Sequence, residues 1–175
     1  MPSGTTNIVI LGSRLTLRPY RPDEIEAQWQ AMVTADPMTI ASVPDEAAFK
    51  ARLERSGTLL NGWLDLAIDL DGVSIGRIQT FVPPSRSLSP GVFDVGIGLQ
   101  PDIRGKGYGR EALALFTDWL FAHAAAEVIE APTDAANVAM RTVFERVAWQ
   151  LTGTVTEHGR EWLLYAMTRS QWQAR

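Results

Sequence analysis

Three glycines at alternate positions stand among cations in the run Arg104-Gly105-Lys106-Gly107-Tyr108-Gly109-Arg110. Glycine lets the backbone come close to a ligand and turn its N–H groups outward. The run leads into a strongly helical stretch, residues 110–126, with Leu113, Phe116, Trp119 and Leu120 on one stripe. A helix N-terminus adds about half a positive charge. Together with Arg104, Lys106 and Arg110, these groups make a phosphate cradle whose natural guest is a pyrophosphate. The same glycines also suffice for a tight strand-to-helix connection, so the turn alone leaves both readings open. Two phosphate motifs are excluded. A P-loop needs Ser or Thr after its Gly-Lys, and Gly105-Lys106 is followed by Gly107. The dinucleotide fingerprint G-x-G-x-x-G is not met by G-x-G-x-G, and the preceding strand is not the first of an N-terminal βαβ unit.

The elements around this turn must come from 175 residues, about one domain's worth, so the whole chain reads as a single domain. A hydrophobic fraction of 46% and a charged fraction of 21% are those of a globular protein. The net charge of −4 gives no general pull toward nucleic acid or anionic lipid. No run approaches the roughly 18 apolar residues of a membrane span. The start, Met1-Pro2-Ser3-Gly4-Thr5-Thr6, lacks the pattern of a signal peptide, so a cytoplasmic location is expected, with residues 1–13 a flexible segment. The absence of cysteine removes disulfides, thiolate nucleophiles and cysteine metal sites. His123 and His158 lie too far apart for a local ligand pair, and no metal is expected. His123 reads as a solvated residue near a helix end and His158 as a turn residue.

Residues 14–18 alternate as a short strand, and Pro22-Asp23-Glu24 opens a helix to about Ala35 with Ile25, Trp29, Met32 and Val33 on one face. Residues 36–43 read as a loop. A second helix follows Pro44-Asp45-Glu46 and stops near Gly57. Residues 63–70 alternate, Asp71-Gly72 is a hairpin turn, and residues 73–82 return. A Pro-rich loop, residues 83–91, precedes the strand of residues 92–99, whose Gly96 and Gly98 suggest close approach by another backbone or a ligand. After the glycine turn and its helix come a short strand at 127–131, a helix at 134–148 striped by Met140, Val143, Phe144 and Val147, and two strands around His158-Gly159. Helices mixed with a largely antiparallel sheet define an α+β, or mixed α/β, class.

The motif of residues 104–109 matches the Arg/Gln-x-x-Gly-x-Gly/Ala signature of the GNAT superfamily of N-acetyltransferases, on the strand and helix where that family carries it. Asn137-Val138-Ala139-Met140 followed by Phe144-Glu145-Arg146-Val147-Ala148-Trp149 resembles the family's second block, an Asn opening a helix that ends in Glu-Lys-x-Gly-Phe. Leu15-Thr16-Leu17-Arg18-Pro19 and Trp162-Leu163-Leu164-Tyr165-Ala166 are similar to the ribosomal-protein alanine N-acetyltransferase branch. The likeness spans about residues 14–172. It implies a twisted, mostly antiparallel sheet of six to seven strands flanked by about four helices, with acetyl-CoA as cosubstrate and an amine as acceptor. A homodimer is compatible with it.

Residue by residue, the resemblance puts the CoA pyrophosphate on the amides of Arg104, Gly105, Lys106, Gly107, Tyr108 and Gly109, with Arg110 adding charge. It runs the pantetheine arm beside the strand ending at Leu99, where the N–H of Ile97 or Leu99 would polarise the thioester carbonyl. Asn137 would sit near the pantetheine or adenine; it equally suits a helix N-cap. An attacking amine must lose a proton. Asp94 is the candidate base, because relatives place an acid on this strand and apolar neighbours make a carboxylate a stronger base. Glu130 and Asp134 are alternatives.

Two departures stand out. Phe144 occupies the position where many relatives hold a Tyr that protonates the leaving thiolate, so an acid there is unsupported. Ala148-Trp149 replaces Gly-Phe, which should alter only local packing. Tyr165 reads as packing in the final strand. The acceptor pocket would fall among Trp29, Met38, Trp63 and the 83–90 loop. The leading function is N-acetylation of a protein N-terminus or small-molecule amine. Rivals are antibiotic acetylation, with an aminoglycoside or polyamine drawn to an acidic protein, and a non-catalytic acyl-CoA-binding module.

Overall fold

The computed structural model describes residues 7–35, 44–82, 87–157 and 159–175. Met38, the rest of the 36–43 loop, residues 83–86 and His158 lie outside the described residues. Among these residues, eight strands form one sheet: β1 (Ile10–Leu11), β2 (Thr16–Arg18), β3 (Leu64–Leu70), β4 (Val73–Phe81), β5 (Val92–Leu99), β6 (Val128–Thr133), β7 (Gln150–Glu157) and β8 (Arg160–Thr168), in the order β1-β2-β3-β4-β5-β6-β8-β7. Every neighbouring pair is antiparallel except β5 and β6. Among the described residues, five α-helices accompany it: α1 (Ile25–Val33), α2 (Glu46–Leu53), α3 (Tyr108–His123), α4 (Val138–Arg146) and α5 (Arg169–Gln173).

The class is as read from the sequence, with one strand more than the six to seven expected and one helix more than four. The extra strand corrects the N-terminal expectation. Residues 8–13 are tied down: Ile8 N–H donates to the Gly57 carbonyl at 2.8 Å, and Ile10 pairs with Leu17. The anchor is Glu111 on α3, which accepts from Ser13 Oγ, the Arg14 and Leu15 amides and the Arg14 guanidinium. Burial pushes the Glu111 pKa up, but these donors outweigh it and hold the carboxyl below its ordinary value. No short-range pattern announces a contact across nearly a hundred residues.

The sheet's two faces carry separate cores because strand side chains alternate. Leu66, Ile68, Ile78 and Val95 pack with Leu113, Phe116 and Leu120 of α3 and with Phe144 of α4. On the opposite face, Ala67 meets α1 and α2 through Trp29, Met32, Phe49 and Leu53. Two acids, the half-buried Glu24 and the buried Asp69, bracket Arg18 there, at 2.7 Å each.

The end of α4 corrects a second expectation. Trp149 N–H donates to the Phe144 carbonyl and Ala148 N–H to that of Glu145, the Schellman pattern, whose pivot residue takes the left-handed conformation. Ala148 sits at that pivot with φ 65°. Alanine for glycine here therefore strains the backbone, whereas altered packing alone was expected. Trp149 is buried and stacks on Phe144 at 5.2 Å.

Candidate active site

The cleft begins where β5 and β6 part. Their parallel pairing covers only Val92↔Val128 through Asp94↔Glu130. Beyond that rung β5 stays with β4 as far as Leu99, and β6 stays with β8 as far as Thr133. The sheet thus opens in a wedge at its centre. Gln100 N–H donates to the Ile75 carbonyl, and Gly76↔Leu99 is the next rung. The alternation of an antiparallel ladder then turns the amides of Ile97 and Leu99 away from β4 and into the wedge. Close approach explains Gly76: a Cβ there would lie 2.3 Å from the Gly98 carbonyl oxygen.

A cleft of about 2010 Å³ occupies the wedge and passes to both faces of the sheet. On the α3 side it reaches the glycine turn. Gly105 and Gly107 have φ of 79° and 83°, and Gly107 is the residue from which α3 starts. A Cβ on Gly105 would meet nothing within 4 Å, so its surroundings are open. Arg104 folds back, its Nε donating to the Leu99 carbonyl at 3.0 Å, while Lys106 Nζ reaches the Asp102 carbonyl at 3.3 Å. Arg110 is exposed at the rim. Tyr108 is half-buried beneath Arg14, whose guanidinium lies 4.8 Å from its ring centre. Arg14 also donates to the Lys106 carbonyl, and sequence reasoning missed it as a cleft residue because it came from a remote strand pattern.

Asn137 caps α4, its Oδ1 accepting from Met140 N–H at 3.1 Å, and it lines the cleft near the turn. Phe144 borders the same space while stacked between Trp149 and Tyr165. Tyr165 is buried, and its hydroxyl donates to Glu145 at 3.3 Å.

On the α1/α2 side, register aligns Arg77 with Gly98, Gln79 with Gly96 and Phe81 with Asp94. These partners share a face. Asp94 is fully buried at the apex of the wedge, with Glu130 beside it on the last paired rung. Asp134 instead bonds Arg160 and the Ala136 amide. Trp63 lines the cleft, whereas Trp29 is buried against Phe49, 5.6 Å between ring centres, as part of the core. Among the described residues no cluster of His, Asp or Glu could hold a metal ion. No helix among them is long and apolar enough to cross a membrane.

A family model described as the acetyltransferase (GNAT) domain matches residues 14–150. The chain belongs to the GNAT acetyltransferase family. Among solved structures, this GNAT domain is similar to Mycobacterium smegmatis RimJ in complex with CoA-disulfide, with a TM-score of 0.78 and 18% identity over 95% of this chain and 90% of that one. It is similar to aminoglycoside acetyltransferase AAC(6')-Ib in complex with coenzyme A, with a TM-score of 0.76 and 18% identity over 91% and 98% of the two chains. The ribosomal L7/L12 alpha-N-protein acetyltransferase RimL in complex with coenzyme A gives a TM-score of 0.74 and 14% identity over 94% and 99%. At these identities the likeness is one of fold. Among curated proteins none matches the chain. As a GNAT protein it is an acyltransferase that uses acetyl-CoA to acetylate an amine.

Proposed function

We propose that this GNAT protein binds acetyl-CoA in the β5/β6 wedge and acetylates a primary amine by direct attack in a ternary complex. The observation that carries the reading is the junction of three features: a parted strand pair, inward-turned amides at Ile97 and Leu99, and a positive-φ glycine turn at the start of α3. The turn fits a pyrophosphate because a Cβ at Gly105 meets nothing and the helix end is positive. Bound acetyl-CoA would supply an activated acyl carbonyl.

The chain's own residues would then do four things. The amides of residues 104–109, with Lys106 and Arg110, hold the diphosphate. The edge of β5 offers hydrogen bonds to the amide-bearing arm of the cosubstrate. The N–H of Ile97 or Leu99 stabilises negative charge developing on the carbonyl oxygen. Asp94, at the apex, takes the proton of the attacking amine directly or through one water. Asn137 helps orient the arm from the start of α4.

The test is thiol release from acetyl-CoA with a panel of amines, run on the wild type and Asp94→Asn. A fall in kcat of about 10²-fold or more, with acetyl-CoA affinity retained, supports the base assignment. Unchanged turnover with every amine would falsify it.

A further inference from the structure

The half of the cleft that faces the acceptor is cationic, although the protein is acidic. Arg77 lines it from β4 opposite Gly98, which has no side chain to cover it. Among the described residues Arg77 has no ion pair and no side-chain hydrogen bond; its guanidinium lies 5.4 Å from the Phe49 ring centre. Arg52, from α2, stands beside it. Arg52 donates to Asp65 at 2.8 Å, reaches Gln79 at 3.4 Å, and stacks on Trp63 at 4.8 Å from its ring centre. Among the described residues, two guanidinium groups against the single carboxylate of Asp65 leave one net positive charge. Burial lowers the Arg77 pKa, opposed chiefly by the Asp65 carboxylate, which is the situation of a desolvated cation short of counter-charge.

The acids on this face lie elsewhere. Asp94 and Glu130 sit at the wedge apex, level with Phe81, four residues along β4 from Arg77. At about 3.3 Å per residue the cation is roughly 13 Å away along the strand, a distance that the arginine side chain shortens. Glu24 is taken by Arg18. The cleft is therefore lined by cations on this face, Arg77 and Arg52, while the acids Asp94 and Glu130 lie behind its closed end and do not line it. Between the acids and the cations, Gly96 and Gly98 present no side chains.

We infer that the acceptor is an amine that also carries a carboxylate, its amino end at the Asp94 apex and its carboxylate on Arg77, with Trp63 flanking its apolar part. This rests on the acetyl-transfer reading and narrows its acceptor class. It opposes a polycationic acceptor, since an aminoglycoside or polyamine would meet Arg77 and Arg52. Guanidinium suits the task because its planar fork binds a carboxylate in two places.

The experiment compares the ω-amino acids glycine, β-alanine, 4-aminobutyrate and 6-aminohexanoate with their amides, and with spermidine and kanamycin, by thiol release from acetyl-CoA. The amidated dipeptides Ala-Asp and Ala-Lys form a further arm, which separates a free amino acid from a peptide N-terminus as the source of the carboxylate. The expected result is a kcat/KM for the acid at least about tenfold above that of its amide, a charge-assisted hydrogen bond's worth. That ratio should collapse toward one in Arg77→Gln, through KM, and recover in part in Arg77→Lys. Thermal melts of both variants show whether each is folded. In parallel, binding of N-acetyl-6-aminohexanoate and its amide to the protein with CoA is read by saturation-transfer NMR, which needs no turnover. Equal use or equal binding of acid and amide, or preference for spermidine or kanamycin, overturns the inference. If acetyl-CoA itself does not bind, the acetyl-transfer reading falls separately, and the NMR arm without CoA still decides whether Arg77 selects a carboxylate.

Discussion

A matched pair of glycine substitutions separates a phosphate cradle from a merely tight turn. Gly105 and Gly72 have φ of 79° and 86°, and a Cβ on either would meet no atom within 4 Å. Alanine at either site thus incurs the same penalty, the left-handed backbone of an L-residue, about 1–2 kcal/mol. For a chain of this size each kcal/mol lowers Tm by about 2–4 °C, so both variants should melt about 2–8 °C early. Only Gly105 lies on the cleft; Gly72 turns the β3–β4 hairpin. If the amides of residues 104–109 hold a diphosphate, a methyl group at 105 displaces ligand from donors that are each worth about 1.5–3 kcal/mol to a charged partner. Calorimetric titration with acetyl-CoA should then give a Kd at least about tenfold weaker for Gly105→Ala and unchanged for Gly72→Ala. Equal Kd for both variants and the wild type would refute the cradle, leaving a connection that is tight for structural reasons only.

Three further outcomes are expected. Ala148→Gly relieves the strained pivot after α4 and should raise Tm by about 2–4 °C, a gain of about 1 kcal/mol after the added freedom of the unfolded chain, as read by calorimetric melting. Phe144→Ala removes a buried ring stacked on both Trp149 and Tyr165, so chemical denaturation should show a loss of about 3–5 kcal/mol. Glu111→Gln should destabilise at pH 7 by about 1–3 kcal/mol, since a neutral amide is a weaker acceptor for Arg14. Because the folded Glu111 pKa lies below its ordinary 4.5, that stabilisation is present above pH 4.5 and lost as pH falls through the folded value. The wild type and the variant should therefore converge in acid, and a gap that stays constant from pH 7 to pH 3 would contradict the assignment.

Local signals carried much of the fold. Alternation gave β3, the Asp71-Gly72 turn gave the return strand β4, residues 92–99 gave the glycine-bearing strand β5, and the glycine turn gave the start of α3 to within two residues. What escaped was held by distant partners. Residues 10 and 11 end the largely β-branched run Ile8-Val9-Ile10-Leu11, a strand signal inside the segment expected to be flexible, and they pair with β2 while Glu111 fixes the following turn. The short α5 depends on the Thr168–Gln171 capping box, a pattern easily lost at the end of a strand run. For the site, motif spacing identified the phosphate end, since its donors are consecutive amides. The acceptor end could not be read this way. Arg52 and Arg77 meet only because α2 lies over β3 and β4, and nothing in their sequence surroundings distinguishes them from surface arginines. Trp29 and Trp63 illustrate the same limit: identical residues, one in the middle of α1 that the fold buries against Phe49, the other just before β3 and lining the cleft.

The central claim is that the β5/β6 wedge and the α3 glycine turn together form an acyl-CoA site. It is tested most directly by calorimetric titration of the purified protein with acetyl-CoA, with CoA and ATP as comparators. Saturable binding of acetyl-CoA and CoA at one site per chain, with little heat from ATP, is the predicted result. Absence of acetyl-CoA binding, or binding no tighter than that of ATP, would contradict it.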